Sequence, residues 1–338
     1  MTPLRIVVFG PSERVGVWIG DRVVDLNAAD PRLPADLLGL IDAGPAGIDA
    51  AQAASSRALA GSGDDGVVQA IADVTLRPPA VRRPRIGCAA GNYALHTLGS
   101  ARRKGLAESN ALAGLVAGDA LPTPAEVVAK TRERGELRGF WKDFATPHGP
   151  GDDIPYPDRG HRLDYEGEVV AVLGRSARDV PAGRGGECIW GVSLHNDLSI
   201  RQDAPSKVRP STLSFNLGKN WDGSASVGPS IVVGLDPTDI EVETCVNGEL
   251  RQKYHSGEMI FSHGDFIEFL SRDFTLLPGD MISGGTGPGT ATDADKDLRT
   301  GDEITDEQRA ALYLEVGDIV EVSSPAIGTL RNRIVAKR

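Results

Sequence analysis

Two glutamates one residue apart are the first feature of this 338-residue sequence that could do chemistry. Glu166 and Glu168 lie in the apolar run Leu163–Leu173, which predicts a β-strand. Alternate side chains of a strand share a face, so we expect both carboxylates on one side, with Cα atoms about 6.5–7 Å apart. A divalent cation would relieve their repulsion, and oxygen ligands without a Cys and His cluster favour Mg²⁺, Mn²⁺ or Ca²⁺ over zinc. The alternative is an edge strand with a solvated acidic face.

Four further positions or segments could contribute to such a site. Asp197 ends an apolar strand and is a candidate third acid, or alternatively a turn cap. Lys219 could stabilise an enolate or oxyanion, or be an ordinary surface lysine. His96, three residues after Tyr93, could deprotonate water, although a single histidine is more often structural. The glycine-rich segment 283–289 could hold an anion with its backbone amides, but it lacks the Lys of a P-loop.

Composition narrows the classes of partner. The 36 Lys and Arg residues against 47 Asp and Glu residues give a net charge of −11, which argues against nucleic-acid binding. The three cysteines form no C-x-x-C pair and favour neither a disulfide framework nor a zinc site, so we expect a reducing, cytoplasmic setting. No uninterrupted apolar stretch predicts a membrane span or a secretory leader. We therefore expect a small-molecule partner, with no nucleic acid and no membrane.

The elements that would carry these residues form two predicted domains. Residues 1–78 read as a small α/β unit, with strands at 4–9, 15–19 and 22–26 and helices at 34–43 and 47–60. Prolines at 78, 79 and 84 mark the boundary to a second domain, 79–338. There, a capping box at Thr123 predicts a helix to about Arg134, and strands are predicted at 86–89, 163–173, 231–233, 240–246, 266–269, 280–283 and 318–322. The fold class is therefore α+β and β-rich, with a sandwich, roll or barrel rather than a doubly wound sheet.

The order of the motifs resembles that of the fumarylacetoacetate hydrolase family, in its two-domain bacterial type. The resemblance runs from about Ile86 to Arg338, with a matching small unit in front. Seven motifs occur in succession, namely Gly91–Tyr93 with His96, the Glu-x-Glu pair, Asn196–Ser199 with Arg201, Gly218–Lys219, Trp221–Asp222 with Gly228–Pro229, Leu277–Asp280 leading to Gly285–Gly287, and Val316–Asp318 leading to Asn332. No single motif is specific to this family, but the order in which all seven occur is specific to it.

The resemblance implies a mixed β-roll or sandwich, a homodimer, and a small oxo-acid substrate. It implies that Glu166, Glu168 and Asp197 hold Mg²⁺ or Mn²⁺, which makes enolate formation easier by neutralising developing charge. In that reading His96 deprotonates the water that attacks the distal carbonyl of a 1,3-diketo or 2-oxo acid. A carbon–carbon bond then breaks, as in hydrolysis of an acylpyruvate or fumarylacetoacetate, with Lys219 beside the developing negative charge.

The remaining site residues also follow from the resemblance. Arg201 would orient the substrate or the metal ligands, and Tyr93 would contact the substrate. Thr286, with the amides of Gly285 and Gly287, would hold the substrate carboxylate.

The sequence departs from the family pattern around the histidine and beyond Asp197. Many members carry a Glu three residues after the motif histidine, whereas this chain has Gly99, and a lid acid such as Glu108 could substitute. A common Gln is replaced by Ala204, with Gln202 nearby. Gly99 favours the other reactions of the family, which form the same enolate without an activated water. The alternatives are thus a decarboxylase, an isomerase or tautomerase, a dehydratase, or a non-catalytic ligand-binding protein.

Overall fold

Eighteen strands and eight α-helices are assigned in a computed structural model that describes residues 2–61, 66–81, 83–104, 122–143, 147–158, 160–203, 212–294 and 303–337. The strands are β1 (Leu4–Phe9), β2 (Arg14–Ile19), β3 (Arg22–Asp25), β4 (Val68–Ala70), β5 (Leu76–Arg77), β6 (Ile86–Ala89), β7 (Gly139–Lys142), β8 (Asp153–Pro155), β9 (Gly160–Asp164), β10 (Gly167–Leu173), β11 (Ile189–Asp197), β12 (Ser199–Asp203), β13 (Ala225–Val233), β14 (Glu241–Val246), β15 (Glu249–His255), β16 (Met281–Thr286), β17 (Ile319–Ser324) and β18 (Gly328–Val335). The helices are α1 (Leu26–Ala29), α2 (Leu37–Asp42), α3 (Gly44–Ala60), α4 (Ala94–Lys104), α5 (Pro124–Arg134), α6 (Thr212–Lys219), α7 (His263–Leu270) and α8 (Asp306–Ala310).

The strands form one large sheet and two smaller ones. The large sheet has the order β4-β3-β2-β1-β13-β11-β10-β16-β6-β7, with β5 beside β1. A five-stranded sheet has the order β15-β14-β17-β18-β8, and β12 pairs with β9. Most neighbours are antiparallel, while β16 with β6 and β18 with β8 are parallel. The predicted α+β, β-rich fold class is therefore confirmed. Among the described residues, no helix is both long and apolar enough to cross a membrane.

The middle of the large sheet is buried on both faces, which is why its strands are apolar almost throughout. All seven residues of β10 and all nine of β13 are buried. Alternation sends Val169 toward the face covered by the five-stranded sheet, where it packs near Val242 and Val322. Its neighbour Val170 packs on the opposite face, in a cluster with Leu40 and other residues of the N-terminal helices. Polar groups placed on these strands are therefore held between two apolar layers.

The large sheet continues across the predicted domain boundary. Strand β1 pairs antiparallel with β13, where Leu4 lies opposite Val233 and Ile6 opposite Ile231. The Arg5 side chain also donates to the carbonyl oxygen of Ala326 at 3.1 Å. The division into residues 1–78 and 79–338 stays a prediction.

Several predicted elements match the structure closely. Strands Leu4–Phe9 and Ile86–Ala89 have the predicted bounds. Thr123 caps helix α5 through the predicted capping box with Glu126, and Gly135, with φ +61°, ends it. The predicted strand at 163–173 is instead divided in two, because β9 pairs with β12 whereas β10 pairs with β11 and β16. Glu166 therefore lies between two strands rather than within one.

The predicted strand at 266–269 was wrong, because this segment belongs to helix α7. The Ser262 hydroxyl accepts from the Asp265 amide at 3.2 Å, and the Asp265 carboxylate accepts from the Ser262 amide at 2.7 Å. This capping box starts a helix whose buried side is formed by Phe266 and Ile267. The apolar run alone fits a strand, whereas the capping residues before it determine a helix.

Candidate active site

Three buried carboxylates meet where β10 begins and β11 ends. Glu166 precedes β10, Glu168 lies on it, and Asp197 ends the neighbouring strand β11. The Asp197 amide donates to the Glu166 carbonyl at 2.9 Å, and the Asn196 side chain accepts from the Glu166 amide at 3.1 Å. One oxygen from each of the three carboxylates lies within 4.8 Å of the other two. The two strands thus bring acids that are about thirty residues apart in sequence into one cluster.

Two buried lysines neutralise part of this charge. The Lys219 ammonium, at the end of α6, lies 2.6 Å from Glu166 Oε2 and 2.8 Å from Asp197 Oδ2. The Lys142 ammonium, at the end of β7, lies 2.5 Å from Asp197 Oδ1. Lys142 also donates to the carbonyl oxygens of Lys219 and Ser224, each at 2.7 Å. Lys142 therefore fixes the backbone that carries Lys219 as well as the carboxylate that Lys219 contacts.

Arg201, on β12, links the cluster to a fourth acid. Its guanidinium contacts Glu166, and its Nε donates to Asp164 Oδ2 at 2.8 Å. The other oxygen of Asp164 accepts from the Ala291 amide at 2.8 Å. Arg201 thus holds the Glu166 and Asp164 carboxylates together through charge-assisted hydrogen bonds.

The pKa values of two neighbouring glutamates move in opposite directions. Burial alone would raise the pKa of Glu166, but the charges of Arg201 and Lys219 hold it below its usual value. The pKa of Glu168 is raised well above its usual value, first by burial and then by the charges of Asp197 and Glu166. Glu168 therefore carries the negative charge that the surrounding cations compensate least.

The donor set fits a hard divalent cation such as Mg²⁺ or Mn²⁺. Carboxylate oxygens are the ligands these ions prefer, and Glu168, Glu166 and Asp197 offer three at one point. Cys88 Sγ and a His195 nitrogen also lie near Glu168, in an arrangement that could favour a softer metal. Burial, followed by the charges of Asp197 and Glu168, raises the pKa of the Cys88 thiol, so it is held neutral. The oxygen cluster is therefore the better metal site of the two.

The motif 91–96 lies beside these carboxylates. The Asn92 side chain donates to the carbonyl oxygens of Phe261 and Gly284, which ties the start of α4 to β16. Tyr93 is 1% exposed, and in the described part of the chain its hydroxyl has no hydrogen-bond partner. Burial and then the charge of Glu168 raise the Tyr93 pKa, so its hydroxyl remains a donor near the site.

His96 lies in the first turn of α4, and its ring contacts an acid from a distant segment, Asp293. Its Nδ1 is 2.7 Å from Asp293 Oδ2. A positive charge on His96 is among the influences that lower the pKa of Glu166, after Arg201 and Lys219. The imidazole is thus within electrostatic range of the carboxylate cluster.

The glycine-rich segment predicted to hold a substrate carboxylate is closely packed. The Thr286 hydroxyl lies 3.0 Å from the carbonyl oxygen of Gly167 and accepts from Gln252 Nε2 at 2.8 Å. A Cβ on Gly285 would lie 2.9 Å from the Ala89 carbonyl oxygen, and one on Gly287 only 2.3 Å from the Tyr254 ring. Packing therefore requires both glycines whatever they bind, and the carboxylate-binding role of this segment stays a prediction.

Three residues of the site were not found from sequence. Lys142 lies in a strand of ordinary composition, and nothing local indicates that its ammonium is buried. Asp164 lies two residues before Glu166 and continues the alternation of acids, which was a usable signal. Asp293 is 197 residues from His96 in sequence and lies in an acidic loop. No local sequence signal therefore indicated that it contacts His96. The predicted substitute acid Glu108 lies outside the described residues, as do Ala204 and the side chain of Gln202.

The fold and the carboxylate site place the chain in one class of proteins. Residues 97–335 match the family model described as fumarylacetoacetate (FAA) hydrolase C-terminal. A solved structure described as a fumarylacetoacetate hydrolase from psychrophilic Exiguobacterium antarcticum superposes with a TM-score of 0.68 at 26% identity, covering 99% of this chain and 100% of that one. The chain therefore belongs to the fumarylacetoacetate hydrolase family.

Relatives with different named activities span nearly the whole chain. A mitochondrial oxaloacetate tautomerase of Homo sapiens is 25% identical over 341 residues, covering 98% of this chain and 92% of the relative. A maleylpyruvate hydrolase from Sphingobium, solved with manganese(II) and pyruvate, shares the fold with a TM-score of 0.65 at 22% identity, covering 99% of this chain and 100% of that one. Membership of the family thus leaves the particular reaction to be argued from the site.

Proposed function

We propose that this chain is a divalent-metal-dependent enzyme that acts on 2-oxo or 1,3-diketo acids through an enolate. The convergence of Glu166, Glu168 and Asp197 carries the proposal. Lys142, Lys219 and Arg201 compensate Glu166 and Asp197, whereas in the described residues Glu168 has no Lys or Arg partner, so the cluster needs further positive charge. Glu166, Glu168 and Asp197 would hold a divalent cation, which would supply positive charge to stabilise an enolate oxygen. The Lys219 ammonium, which contacts Glu166 and Asp197, would add positive charge at the same site.

The reaction we propose is hydrolysis of a carbon–carbon bond in an acylpyruvate or fumarylacetoacetate type of substrate. His96 takes a proton from water, and the hydroxide oxygen bonds to the distal carbonyl carbon. The carbon–carbon bond then breaks, and its electron pair stays with the oxo-acid fragment as an enolate, which is protonated on carbon. The fumarylacetoacetate hydrolase among the similar structures supports this choice.

Two groups of this chain are proposed to bind the substrate. The Tyr93 hydroxyl, buried without a protein partner in the described residues, donates to a substrate oxygen once that oxygen is present. Arg201, on β12, contacts Glu166, and its side chain is one-fifth exposed. It would orient the substrate or the metal ligand Glu166. A small, anionic substrate fits the surplus of cations that the metal would create.

Keto–enol tautomerisation of a small dicarboxylic oxo-acid is the second candidate. It is favoured by relatives that cover 98% of this chain and are named oxaloacetate tautomerases. This reaction uses the same stabilised enolate and moves a proton between carbon and oxygen without an activated water. His96 would then exchange a proton with the substrate rather than with water.

A substrate panel separates these candidates. Purified protein is incubated with Mn²⁺ or Mg²⁺ and with acylpyruvates, fumarylacetoacetate, maleylpyruvate and the enol of oxaloacetate, while diketone absorbance and products are followed. Hydrolysis predicts equal amounts of two acids, with loss of activity on chelation and in Glu168→Gln. Conversion of enolic oxaloacetate without bond cleavage would support the tautomerase instead. No metal-dependent conversion of any member of the panel would contradict the proposal.

A further inference from the structure

Cys88, Glu168 and His195 form a second group of potential metal ligands beside the oxygen cluster. Glu168 on β10 lies directly opposite His195 on β11, and Cys88 lies on β6, which β16 separates from β10. One ligand atom from each of the three residues lies within 4.8 Å of the other two. All three side chains are buried. A sulfur, a nitrogen and an oxygen atom thus converge inside the molecule.

The His195 imidazole is oriented as a metal ligand. Its Nδ1 is 2.9 Å from the carbonyl oxygen of Ser226, and a carbonyl only accepts hydrogen bonds, so Nδ1 donates. In the neutral ring this leaves a lone pair on Nε2, which lies 4.0 Å from Glu168 Oε2. Among the described residues, this buried Nε2 has no hydrogen-bond partner. A hydrogen bond from the other ring nitrogen to a backbone carbonyl commonly fixes metal-bound histidines.

The three ligand atoms can hold one ion after a small adjustment. Zn²⁺ lies about 2.0–2.1 Å from nitrogen or oxygen and about 2.3 Å from sulfur, so the ligand atoms of a tetrahedral site are about 3.3–3.6 Å apart. The 4.0 Å between His195 and Glu168 exceeds that separation by less than about 1 Å. Side-chain torsions can supply a change of this size without movement of the strands. Water would complete the fourth position.

The donor set distinguishes this group from the oxygen cluster. Thiolate sulfur and imidazole nitrogen favour Zn²⁺ and Cd²⁺ over Mg²⁺ and Mn²⁺, which prefer carboxylate oxygen. The Cys88 side chain also packs in an apolar cluster with Val170 and Met281, which offer no competing oxygen ligand. When the ion binds, the Cys88 Sγ–H bond breaks, Sγ bonds to the ion, and the proton passes to the solvent.

We infer that Cys88, Glu168 and His195 form a site for a softer divalent ion, Zn²⁺ or Cd²⁺, and that an ion bound there excludes Mn²⁺ from the oxygen cluster. The exclusion rests on the proposed function, because it requires Glu168 to be a ligand in both sites. Zn²⁺ at this second site is then an inhibitor of the Mn²⁺-dependent reaction.

Charge balance is the reason for the exclusion. In the part of the chain that the structure describes, four acids face three Lys and Arg side chains, which leaves one surplus negative charge when all are ionised. These residues are Asp164, Glu166, Glu168 and Asp197, with Lys142, Lys219 and Arg201. One divalent ion with one thiolate balances that charge. A second divalent ion would leave two surplus positive charges in a buried site, so the two ions compete.

The experiment titrates chelator-treated protein with Cd²⁺ and records the ultraviolet charge-transfer absorption of a cadmium–thiolate bond. Mn²⁺ binding is measured by electron paramagnetic resonance as Cd²⁺ is added. Cys88→Ser removes the sulfur ligand and nearly keeps the size of the side chain. Cys188→Ser is the matched control, because Cys188 is also 2% exposed and packs in a different apolar cluster.

We expect the parent and Cys188→Ser to bind one Cd²⁺ per chain with the thiolate absorption. Cys88→Ser should lose the absorption and bind Cd²⁺ about 100-fold more weakly, and the Cd²⁺ concentration that displaces Mn²⁺ should rise by the same factor. Its Mn²⁺ affinity in the absence of Cd²⁺ should stay near that of the parent. Equal Cd²⁺ binding in Cys88→Ser and the parent would overturn the inference.

X-ray absorption of the Zn²⁺-loaded parent protein tests the ligands without a variant. One sulfur at about 2.3 Å, with nitrogen and oxygen at about 2.0–2.1 Å, would support the site. A shell of nitrogen and oxygen alone would overturn it, even if Cys88→Ser does not fold.

The second site and the proposed function fail separately. If Cd²⁺ binds through Cys88 but Mn²⁺ does not bind at all, the oxygen cluster fails as the metal site of the proposed reaction, while the second site stands. If both ions bind together with the affinities that each shows alone, the exclusion is overturned.

Discussion

Glu168 is the residue on which the proposed metal binding would depend most directly. Arg201 and Lys219 compensate Glu166, and Lys142 and Lys219 compensate Asp197, whereas Glu168 accepts a hydrogen bond from the Ser283 hydroxyl. Burial and its two acidic neighbours raise the pKa of Glu168, so its ionised form is the one a divalent cation stabilises most.

Glu168→Gln should abolish stabilisation by Mn²⁺. The amide keeps the size of the side chain but offers the cation no charge. In the parent, Mn²⁺ at a hundred times its Kd should add about 3 kcal/mol to the free energy of unfolding, measured as a rise in Tm. The exposed Glu187→Gln is the matched control and should keep the full rise. An equal Tm rise in Glu168→Gln and the parent would show that Glu168 is not a ligand.

Lys219→Met should destabilise the metal-free protein. It leaves Glu166 and Asp197 buried with less compensating charge, which costs about 3–5 kcal/mol in comparable buried pairs. Chemical denaturation measures the loss, and added Mn²⁺ should recover part of it. Lys253→Met removes an exposed lysine that also contacts two acids, Glu241 and Glu243, and should change little. Equal losses in both variants would argue against a charge-based role for Lys219.

At the residue scale, sequence predicted the acids of the cluster better than their partners. Glu166, Glu168 and Asp197 stand out because acids interrupt apolar strands, and such acids need a reason to be buried. Lys142 and Asp293 reach the site through strand order and a distant turn, which no local spacing encodes. The family's usual partner of His96 is replaced by Gly99, and the sequence suggested Glu108 as a substitute. The structure instead places Asp293, from another segment, against the ring.

Helix α7 shows how one element couples stability to pH. His263 in its first turn is fully buried and donates from Nε2 to the Val169 carbonyl oxygen at 3.0 Å. Burial lowers its pKa from 6.5 to about 4, although that hydrogen bond and the charge of Asp236 oppose the change. The folded protein therefore keeps this ring neutral in mildly acidic solution.

We predict a loss of stability between pH 7 and pH 5 that depends on His263. In that range the unfolded chain binds a proton at this ring and the folded chain does not, so the free energy of unfolding falls as pH falls. The contribution is about 2 kcal/mol for this single group. His263→Gln should remove about 2 kcal/mol of the pH dependence measured by chemical denaturation, whereas the half-buried His255→Gln should remove much less. The buried His195, whose pKa burial also lowers to about 4, should retain its own share in both variants. An unaltered slope in His263→Gln would contradict the assignment.

Elements were predicted well where a cap or an alternating pattern marked them. Helix α5 has its capping box at Thr123 in both sequence and structure. The apolar pattern of segment 163–173 predicts one strand, whereas pairing divides the segment between β9 and β10. Pairing partners depend on the order of strands in the sheet, which one sequence does not reveal.

At the scale of the whole molecule, one sheet joins the N-terminal strands to the strands that carry the acids. Strand β13 pairs on one side with β1 and on the other with β11, which ends in Asp197. The apolar cluster behind it combines Ile6 and Leu40 with Val170 and Ile231. The N-terminal unit is therefore part of the support of the site.

We predict that the protein unfolds in one calorimetric transition. Separation of residues 1–78 from the rest would break the pairing of β1 with β13 and open a shared apolar cluster. Equality of the calorimetric and van't Hoff enthalpies would confirm a single cooperative unit. Two resolved transitions, with the first assigned to the N-terminal strands by hydrogen exchange, would contradict it.

The central claim is that Glu166, Glu168 and Asp197 together bind one divalent cation. A crystal structure with Mn²⁺ and oxalate, read from the anomalous signal of manganese, tests it most directly. We predict one peak about 2 Å from an oxygen of each of the three carboxylates, with oxalate on its open side. A peak elsewhere, or a cluster still closed by Lys219 with no manganese at saturating concentration, would contradict the account.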